Sequence, residues 1–378
     1  TDQDAFEVIV TFEGKGKLTS DLTNVIESAG VLGGITFNNL PIMGIKATKA
    51  QIDAIYASDK VRSVWYNSPL TLENDGSTQI TGVDRLREDS SLRNQGMPFS
   101  GRGIGVVVND SGVDGTHSDI KYPNHVIQNV LAQTNLHSLS EILPITYQEN
   151  TANTDIAGGH GSHVAGNGAM SSGKYQGVAP GAKIIGYGSG AGLFILDTIG
   201  GFDYALTHQY DYNIRVISNS FGSTSDTGTD FNPDHPTNVA TKQLSDNGVI
   251  VVFSAGNSGS GESTITGNFK KAPWVITVAA GDKDGQLADF SSRGVKGKSG
   301  VVSVDGETFT WEDRPTITAP GVDVISTRAS LSSLSALSIT DDSEVMEASH
   351  VPYYTSMSGT SMSAPHISGV VALMLEAN

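Results

Sequence analysis

Gly105-Val-Val-Val-Asn-Asp110-Ser-Gly112 reads as a short apolar strand that delivers a carboxylate to a turn. A continuous apolar run of this length, bounded by turn residues, fits a strand buried on both faces, as strands of parallel sheets are. Its last residue then sits at a strand's C-terminal end, where open α/β sheets place their sites. The preceding Gly101-Arg-Gly-Ile-Gly105 is not a dinucleotide loop, because such a loop follows a strand and opens a helix, whereas these glycines come before a strand. Downstream, apolar strands at 184–185, 216–217, 249–253 and 275–279 alternate with helical stretches at 193–208 and 237–247. That alternation predicts an α/β fold with a parallel sheet covered on both faces.

Two other stretches complete a chemical set with Asp110. His160-Gly-Ser-His163 opens the run Val164-Ala-Gly-Asn-Gly-Ala-Met170, and Gly359-Thr-Ser-Met-Ser-Ala-Pro365 leads into Ile367-Ser-Gly-Val-Val-Ala-Leu-Met-Leu375. Both look like helix starts, with small residues that allow close approach to a sheet. A serine hydroxyl is a poor nucleophile until a neighbouring base takes its proton, and a neutral imidazole does this near pH 7. The imidazole in turn needs a buried acceptor that fixes its tautomer and stabilises the imidazolium. Ser361 is the candidate nucleophile, His160 the base and acid, and Asp110 the orienting carboxylate. Activity should then fall as pH drops through the ordinary histidine range. Each residue alone has a plainer reading: Ser361 as a helix N-cap, Asp110-Ser-Gly as a strand exit, and His160 with His163 as metal ligands. The chain has no Cys and lacks the Glu of a His-Glu-x-x-His site, which disfavours zinc. A catalytically silent peptide-binding scaffold would have lost one of these groups.

With these blocks in the order Asp, His, Ser, the chain resembles the subtilisin-like serine proteases (subtilases) over roughly residues 80 to 378. Gly177-Val-Ala-Pro-Gly181, Val216-Ile-Ser-Asn-Ser-Phe-Gly222, Val251-Val-Phe-Ser-Ala-Gly-Asn257, Phe290-Ser-Ser-Arg-Gly294 and Ala319-Pro-Gly-Val-Asp-Val-Ile325 resemble family motifs in the expected order. There is no Gly-x-Ser-x-Gly elbow of an α/β-hydrolase. The resemblance implies a three-layer fold with a mostly parallel sheet and a serine endopeptidase acting through an acyl-enzyme. It implies that Asn257 donates its amide to the oxyanion, which agrees with the need for fixed donors there. It also implies that substrate lies as an extended strand between Gly188-Ser189-Gly190 and Ser220-Phe221-Gly222. Ser254-Ala255-Gly256 would form a wall of the primary pocket, and Thr266, if near the floor, would make that pocket shallow.

The first seventy residues read as a separate α+β unit. Strands at 6–12, 35–37, 43–47 and 61–66, with helices at 18–29 and 49–57, give a β-α-β-β-α-β order that suggests a ferredoxin-like domain around a turn at Asn38-Asn-Leu-Pro41. Before a subtilase, such a unit resembles the family's inhibitory propeptide. Residues 1–72 would be that domain, with Ser68-Pro-Leu-Thr-Leu-Glu73 as the tail entering the cleft. Residues 73–100 would be a linker and first helix (84–95), and 101–378 the peptidase domain, ending where relatives continue with another helix. Residues 121–153 and 295–311 read as surface elaborations, and 330–349 as a flexible loop beside the nucleophile.

Composition bounds the partners. Among 378 residues the net charge is −17, with a pI near 4.8 and no basic patch, which disfavours nucleic acid. The absence of Cys fits an exported enzyme without disulfides, hence an expectation of secretion, and no apolar run reaches transmembrane length. Substrates are expected to be proteins or peptides, with the chain's own propeptide as inhibitor. No catalytic cofactor is expected. The resemblance leaves room for structural calcium and matches Asp119 to a ligand, but the loop Ser171-Ser-Gly-Lys-Tyr-Gln176 has no carboxylate and does not support that site.

Overall fold

A computed structural model describes residues 5–13, 18–36, 42–66, 78, 80–133, 146–156, 158–169, 175–189, 195–330 and 339–378. The chain divides into two compact units, Thr1–Thr71 and Leu72–Asn378.

In the first unit, β1 (Ala5–Phe12), α1 (Ser20–Ser28), β2 (Gly34–Thr36), β3 (Ile42–Thr48), α2 (Lys49–Tyr56) and β4 (Val61–Tyr66) follow the predicted β-α-β-β-α-β order. The strands pair antiparallel in the order β2-β3-β1-β4. Alternation decides which side is covered: Val8, Val10, Phe12, Met43, Ile45 and Ala47 are buried with Ile26 of α1 and Ile55 of α2. Thr48 starts α2 with a capping box, in which the Thr48 hydroxyl accepts the Gln51 N–H and the Gln51 side chain accepts the Thr48 N–H. The turn at 38–41 and the tail at 68–73 lie outside the described residues.

The second unit is built on an eight-stranded sheet. Its strands are β5 (Gly105–Asp110), β6 (Val126–Gln133), β7 (Thr146–Gln148), β8 (Lys183–Gly188), β9 (Ile214–Asn219), β10 (Ile250–Ser254), β11 (Val275–Gly281) and, after the hairpin β12 (Ser299–Val304) and β13 (Glu307–Glu312), β14 (Ile317–Pro320). The order is β14-β11-β10-β9-β5-β8-β6-β7, and only the β6–β7 pair is antiparallel. The apolar runs work as two faces. Val106, Val108, Ile184, Val216 and Val252 point into one core, and Val107, Ile185, Ile217, Val251 and Phe253 into the other. Each such side chain contributes roughly 1.5–3 kcal/mol when fully buried.

On the first face pack α4 (His160–Ala169) and α8 (Thr360–Ala377), and on the second α5 (Ile195–Thr207) and α6 (Pro236–Asp246). Strand order reverses around β5: the chain runs from it towards β6 and β8 on one side, then returns to β9 on the other. The C-terminal ends of β5, β8 and β9 therefore meet at a topological switch point, where parallel sheets open a crevice.

Three sequence expectations are corrected. Residues 121–153 are not all surface elaboration: β6 is the sheet's seventh strand, with Val126 and Val130 fully buried. Its apolar signal is interrupted by Gln128 and Asn129, which are buried because they hydrogen-bond. Asn129 Nδ2 donates to Val113 O (2.8 Å), and the Thr154 hydroxyl donates to Asn129 Oδ1 (2.8 Å). The helix predicted at 84–95 is only α3 (Val83–Glu88), because the Asp89 carboxylate turns to accept the Ser91 N–H (2.9 Å) and hydroxyl (2.6 Å). The acidic part of 330–349 is no open loop. It carries α7 (Ile339–Val345), whose Asp342 is buried, pairs with Arg328 and accepts the Ser356 N–H (2.7 Å). That contact ties α7 to the antiparallel pair of β15 (Val324–Thr327) and β16 (Tyr354–Met357).

Candidate active site

Asp110 ends β5 with its side chain only 1% exposed, and His160 opens α4 with its side chain 31% exposed. Asp110 Oδ1 accepts from His160 Nδ1 at 2.7 Å and from the Ser111 N–H at 2.7 Å. The buried carboxylate fixes the imidazole so that Nε2 is left for chemistry. Burial disfavours the imidazolium, but the charge and hydrogen bond of Asp110, joined by Asp155, outweigh it and hold the His160 pKa above the usual value of 6.5. The titration expected in the ordinary histidine range is thus displaced upward.

Asp155 was not singled out by the sequence reading. It accepts the Gly159 N–H (2.9 Å), the Ser162 N–H (3.0 Å) and the Ser162 hydroxyl (2.7 Å), capping the helix that carries His160. Its position shortly before a helix start was the available signal. His163 has a different job: its Nε2–H donates to Val324 O (2.9 Å) and Thr355 O (3.1 Å), and burial pushes its pKa down to about 4. It holds the β15–β16 pair and does not join His160 as a metal ligand.

Ser361 lies in the first turn of α8, the helix start read from the sequence. Pro365 lies four residues on and has no N–H, so the Ser361 carbonyl has no helical donor. The Ser220 hydroxyl supplies one (2.8 Å), while the Ser361 hydroxyl donates to Ser220 O (3.2 Å), not to His160. Hydrogen bonds of this kind are often unmade before substrate is present. Helices α4 and α8 are locked together where Asn167 Nδ2 donates to Met362 O (2.5 Å) and where a Cβ on Gly369 would lie 2.7 Å from Gly168 O. Glycine is what allows that crossing.

Asn257 follows β10, and its Oδ1 accepts both the Thr360 N–H (2.9 Å) and the Thr360 hydroxyl (3.0 Å). Because the backbone N–H requires an acceptor, the oxygen end is fixed and Nδ2 turns outward. A Cβ on Gly359 would stand 3.3 Å from Asn257 Nδ2 and 3.7 Å from Ser361 N, so both nitrogens border the same small space. Two donors beside a helix N-terminus can stabilise a developing oxyanion.

The other expected site residues are distributed as follows. Gly188 ends β8, and its missing Cβ makes room for Gly112 and Thr154, a packing reason for glycine; Ser189 N–H donates to Asp110 O (3.0 Å), and Gly190 lies outside the described residues. Ser220, Phe221 and Gly222 leave β9, with Phe221 edge-on to Phe253 at 5.6 Å. Ser254, Ala255 and Gly256 close β10, all buried, and Gly256 takes a φ of 115° that a side chain would strain. Asp119, matched by resemblance to a calcium ligand, accepts the Tyr354 hydroxyl at 2.5 Å. Among the described residues no group of three or more His, Asp or Glu could hold a metal, and residues 171–174 lie outside them.

Comparison with known proteins places the chain in a family. The Subtilase family model matches residues 101–378. Serine protease AprX of Bacillus subtilis (strain 168) is 28% identical over 366 residues, covering 90% of this chain and 71% of that protein. Fervidolysin of Fervidobacterium pennivorans is 31% identical over 319 residues, 79% of this chain and 38% of that protein. Among solved structures, Sphericase aligns with a TM-score of 0.52 at 26% identity, covering 79% of this chain and 84% of its own. S41 Psychrophilic Protease aligns with a TM-score of 0.53 at 27% identity, covering 78% and 83%. The chain belongs to the subtilase family and is a serine-type endopeptidase.

Proposed function

We propose that this peptidase is secreted, is made as a self-inhibited precursor, and uses Ser361 as nucleophile, His160 as base and acid, Asp110 as orienting carboxylate, and Asn257 with the Ser361 N–H as oxyanion donors. The reading is carried by the 2.7 Å Asp110–His160 hydrogen bond at the sheet's switch point. In it, a substrate strand lies between 188–190 and 220–222 with its scissile carbonyl over Ser361. His160 takes the hydroxyl proton as Ser361 attacks, Asn257 and the backbone donor hold the oxyanion, and His160 returns the proton to the leaving amine. Water then releases the acyl group by the same exchange. No metal or cofactor takes part. Labelling by an active-site serine reagent tests the assignment: wild type should be modified at Ser361, and Ser361→Ala should not react. Secretion is supported by the lack of Cys, and among the described residues no helix is long and apolar enough to cross a membrane.

The raised His160 pKa sets the pH response. A base must be neutral, and a group with a raised pKa stays protonated to higher pH, so the acid limb of kcat/KM should lie above the usual histidine value. Asp155→Asn removes one raising charge and should move that limb to lower pH. An unmoved limb in a folded variant would remove Asp155 from the electrostatics of the site.

The inhibitory role of residues 1–72 is supported by their separate compact unit and by its β-α-β-β-α-β order ahead of a subtilase domain. Tethering makes occupancy of the cleft by residues 68–72 intramolecular and therefore strongly favoured. Wild type should show a new N-terminus between Thr71 and Asp75 by mass spectrometry, and Ser361→Ala should accumulate uncut. Separately made 1–72 should inhibit the mature enzyme, and removal of its last four residues should weaken that inhibition strongly. Full activity of an intact uncut chain would refute the role.

A further inference from the structure

The two walls expected for the primary pocket meet at Thr266. A Cβ on Gly222, two residues past Ser220, would collide with the Thr266 hydroxyl, and so would a Cβ on Gly256, the neighbour of Asn257. The Thr266 N–H donates to Ala255 O (3.2 Å), and Thr266 O accepts the Ser223 N–H (3.1 Å), so this residue bridges both expected walls at the place where a floor between them would lie. Behind it lies Lys270, 2% exposed, whose Nζ donates to Thr266 Oγ1 at 2.9 Å and would stand 2.7 Å from a Cβ on Gly222.

An ammonium has three donors and is expensive to bury without an acceptor of opposite charge. The adjacent Lys271 meets that requirement, with Asp313 at 2.8 Å and both side chains fully buried. Lys270 does not: among the described residues its ammonium has no ion pair, and that group's one hydrogen-bond partner is the neutral Thr266 hydroxyl. Burial alone pushes its amine down to about 7. An amine that lacks a counter-ion thus lies buried behind Thr266, and a carboxylate brought close to it would favour its charged form.

We propose that Thr266 and Lys270 make this floor a receptor for an acidic side chain, aspartate or glutamate, on the residue that precedes the scissile bond. This rests on the peptidase reading above and adds its substrate class. The carboxylate takes the Thr266 O–H from Ala255 O, to which it otherwise donates at a long 3.4 Å, and supplies the counter-charge that Lys270 lacks. The net charge of −17 gives no long-range attraction for acidic peptides, so the selection is local. A site built around such an unpaired donor discriminates against isosteres lacking the charge.

The test is kcat/KM for internally quenched peptides that differ only at that residue: Glu, Gln, Leu or Lys. Wild type should favour Glu over Gln by about tenfold to a hundredfold. Lys270→Met should lose that preference, the Glu peptide falling to the level of the Gln peptide, and Thr266→Val should lose part of it. Titration of Ser361 by the serine reagent shows that each variant is folded. Product peptides ending in Glu or Gln, tested as inhibitors of wild type, give the same ratio without any variant. Glu no better than Gln in both measurements, with Ser361 labelled normally, overturns this proposal alone. Failure of wild type to be labelled or to cleave any peptide overturns the catalytic reading and this proposal together.

Discussion

Ser361→Ala is expected to lower kcat by on the order of 10⁶, and His160→Ala by a similar factor, magnitudes established on an enzyme of this same family rather than derived from this geometry. The effects should not add, because the hydroxyl without the imidazole is hardly more reactive than the imidazole without the hydroxyl. Asp110→Asn should cost less, since it leaves the pair in place but offers His160 Nδ1 an amide where it needs an acceptor. Residual turnover would come from the oxyanion donors and from binding. Single-turnover kinetics on the double variant Ser361→Ala/His160→Ala checks the claim: a loss that multiplies the two single losses would show that the residues do not act as a unit. KM should change little, because neither side chain contributes much to ground-state binding.

Asn257→Ala should slow kcat by on the order of 10²–10³ with little change in KM, again a family-based magnitude. The amide nitrogen is aimed by the two bonds that Thr360 makes to Oδ1, so Thr360→Val, which removes one of them, should produce a smaller loss of the same kind. Asn257→Asp keeps the shape but presents a negative charge to a developing negative charge, and should be at least as damaging as alanine. A normal kcat with Asn257→Ala would remove the residue from the oxyanion site.

What was legible in the sequence was whatever chemistry and periodicity impose locally. The β5 run could hardly be anything but a doubly covered strand, and the apolar runs of β9, β10 and β11 followed the same logic. The helix starts at His160 and Ser361 were visible because small residues cluster there. The strand β6 was missed because Gln128 and Asn129 are satisfied by partners distant in sequence, which composition cannot reveal. Helix α7 was misread for the same reason: Asp342 looks like a solvated acid until Arg328 and the Ser356 N–H are placed around it. Thr266 could be suspected near a pocket, but the burial of Lys270 without a carboxylate emerges only once the chain is folded. The upward displacement of the His160 titration likewise needed Asp155 to be put in place.

Pro365 makes the nucleophile's own backbone dependent on the cleft. By silencing one helical donor it leaves Ser361 fastened to Ser220 at both its carbonyl and its hydroxyl. Ser220 O belongs to the segment along which a peptide strand would pair, so an arriving peptide N–H competes for the very acceptor that holds the Ser361 proton. Winning that competition would hand the hydroxyl to His160. On the proposed assignment the hydroxyl of Ser361 is held away from His160 until a peptide arrives, and a molecule with a cleavable carbonyl but no backbone N–H to offer would leave that bond in place.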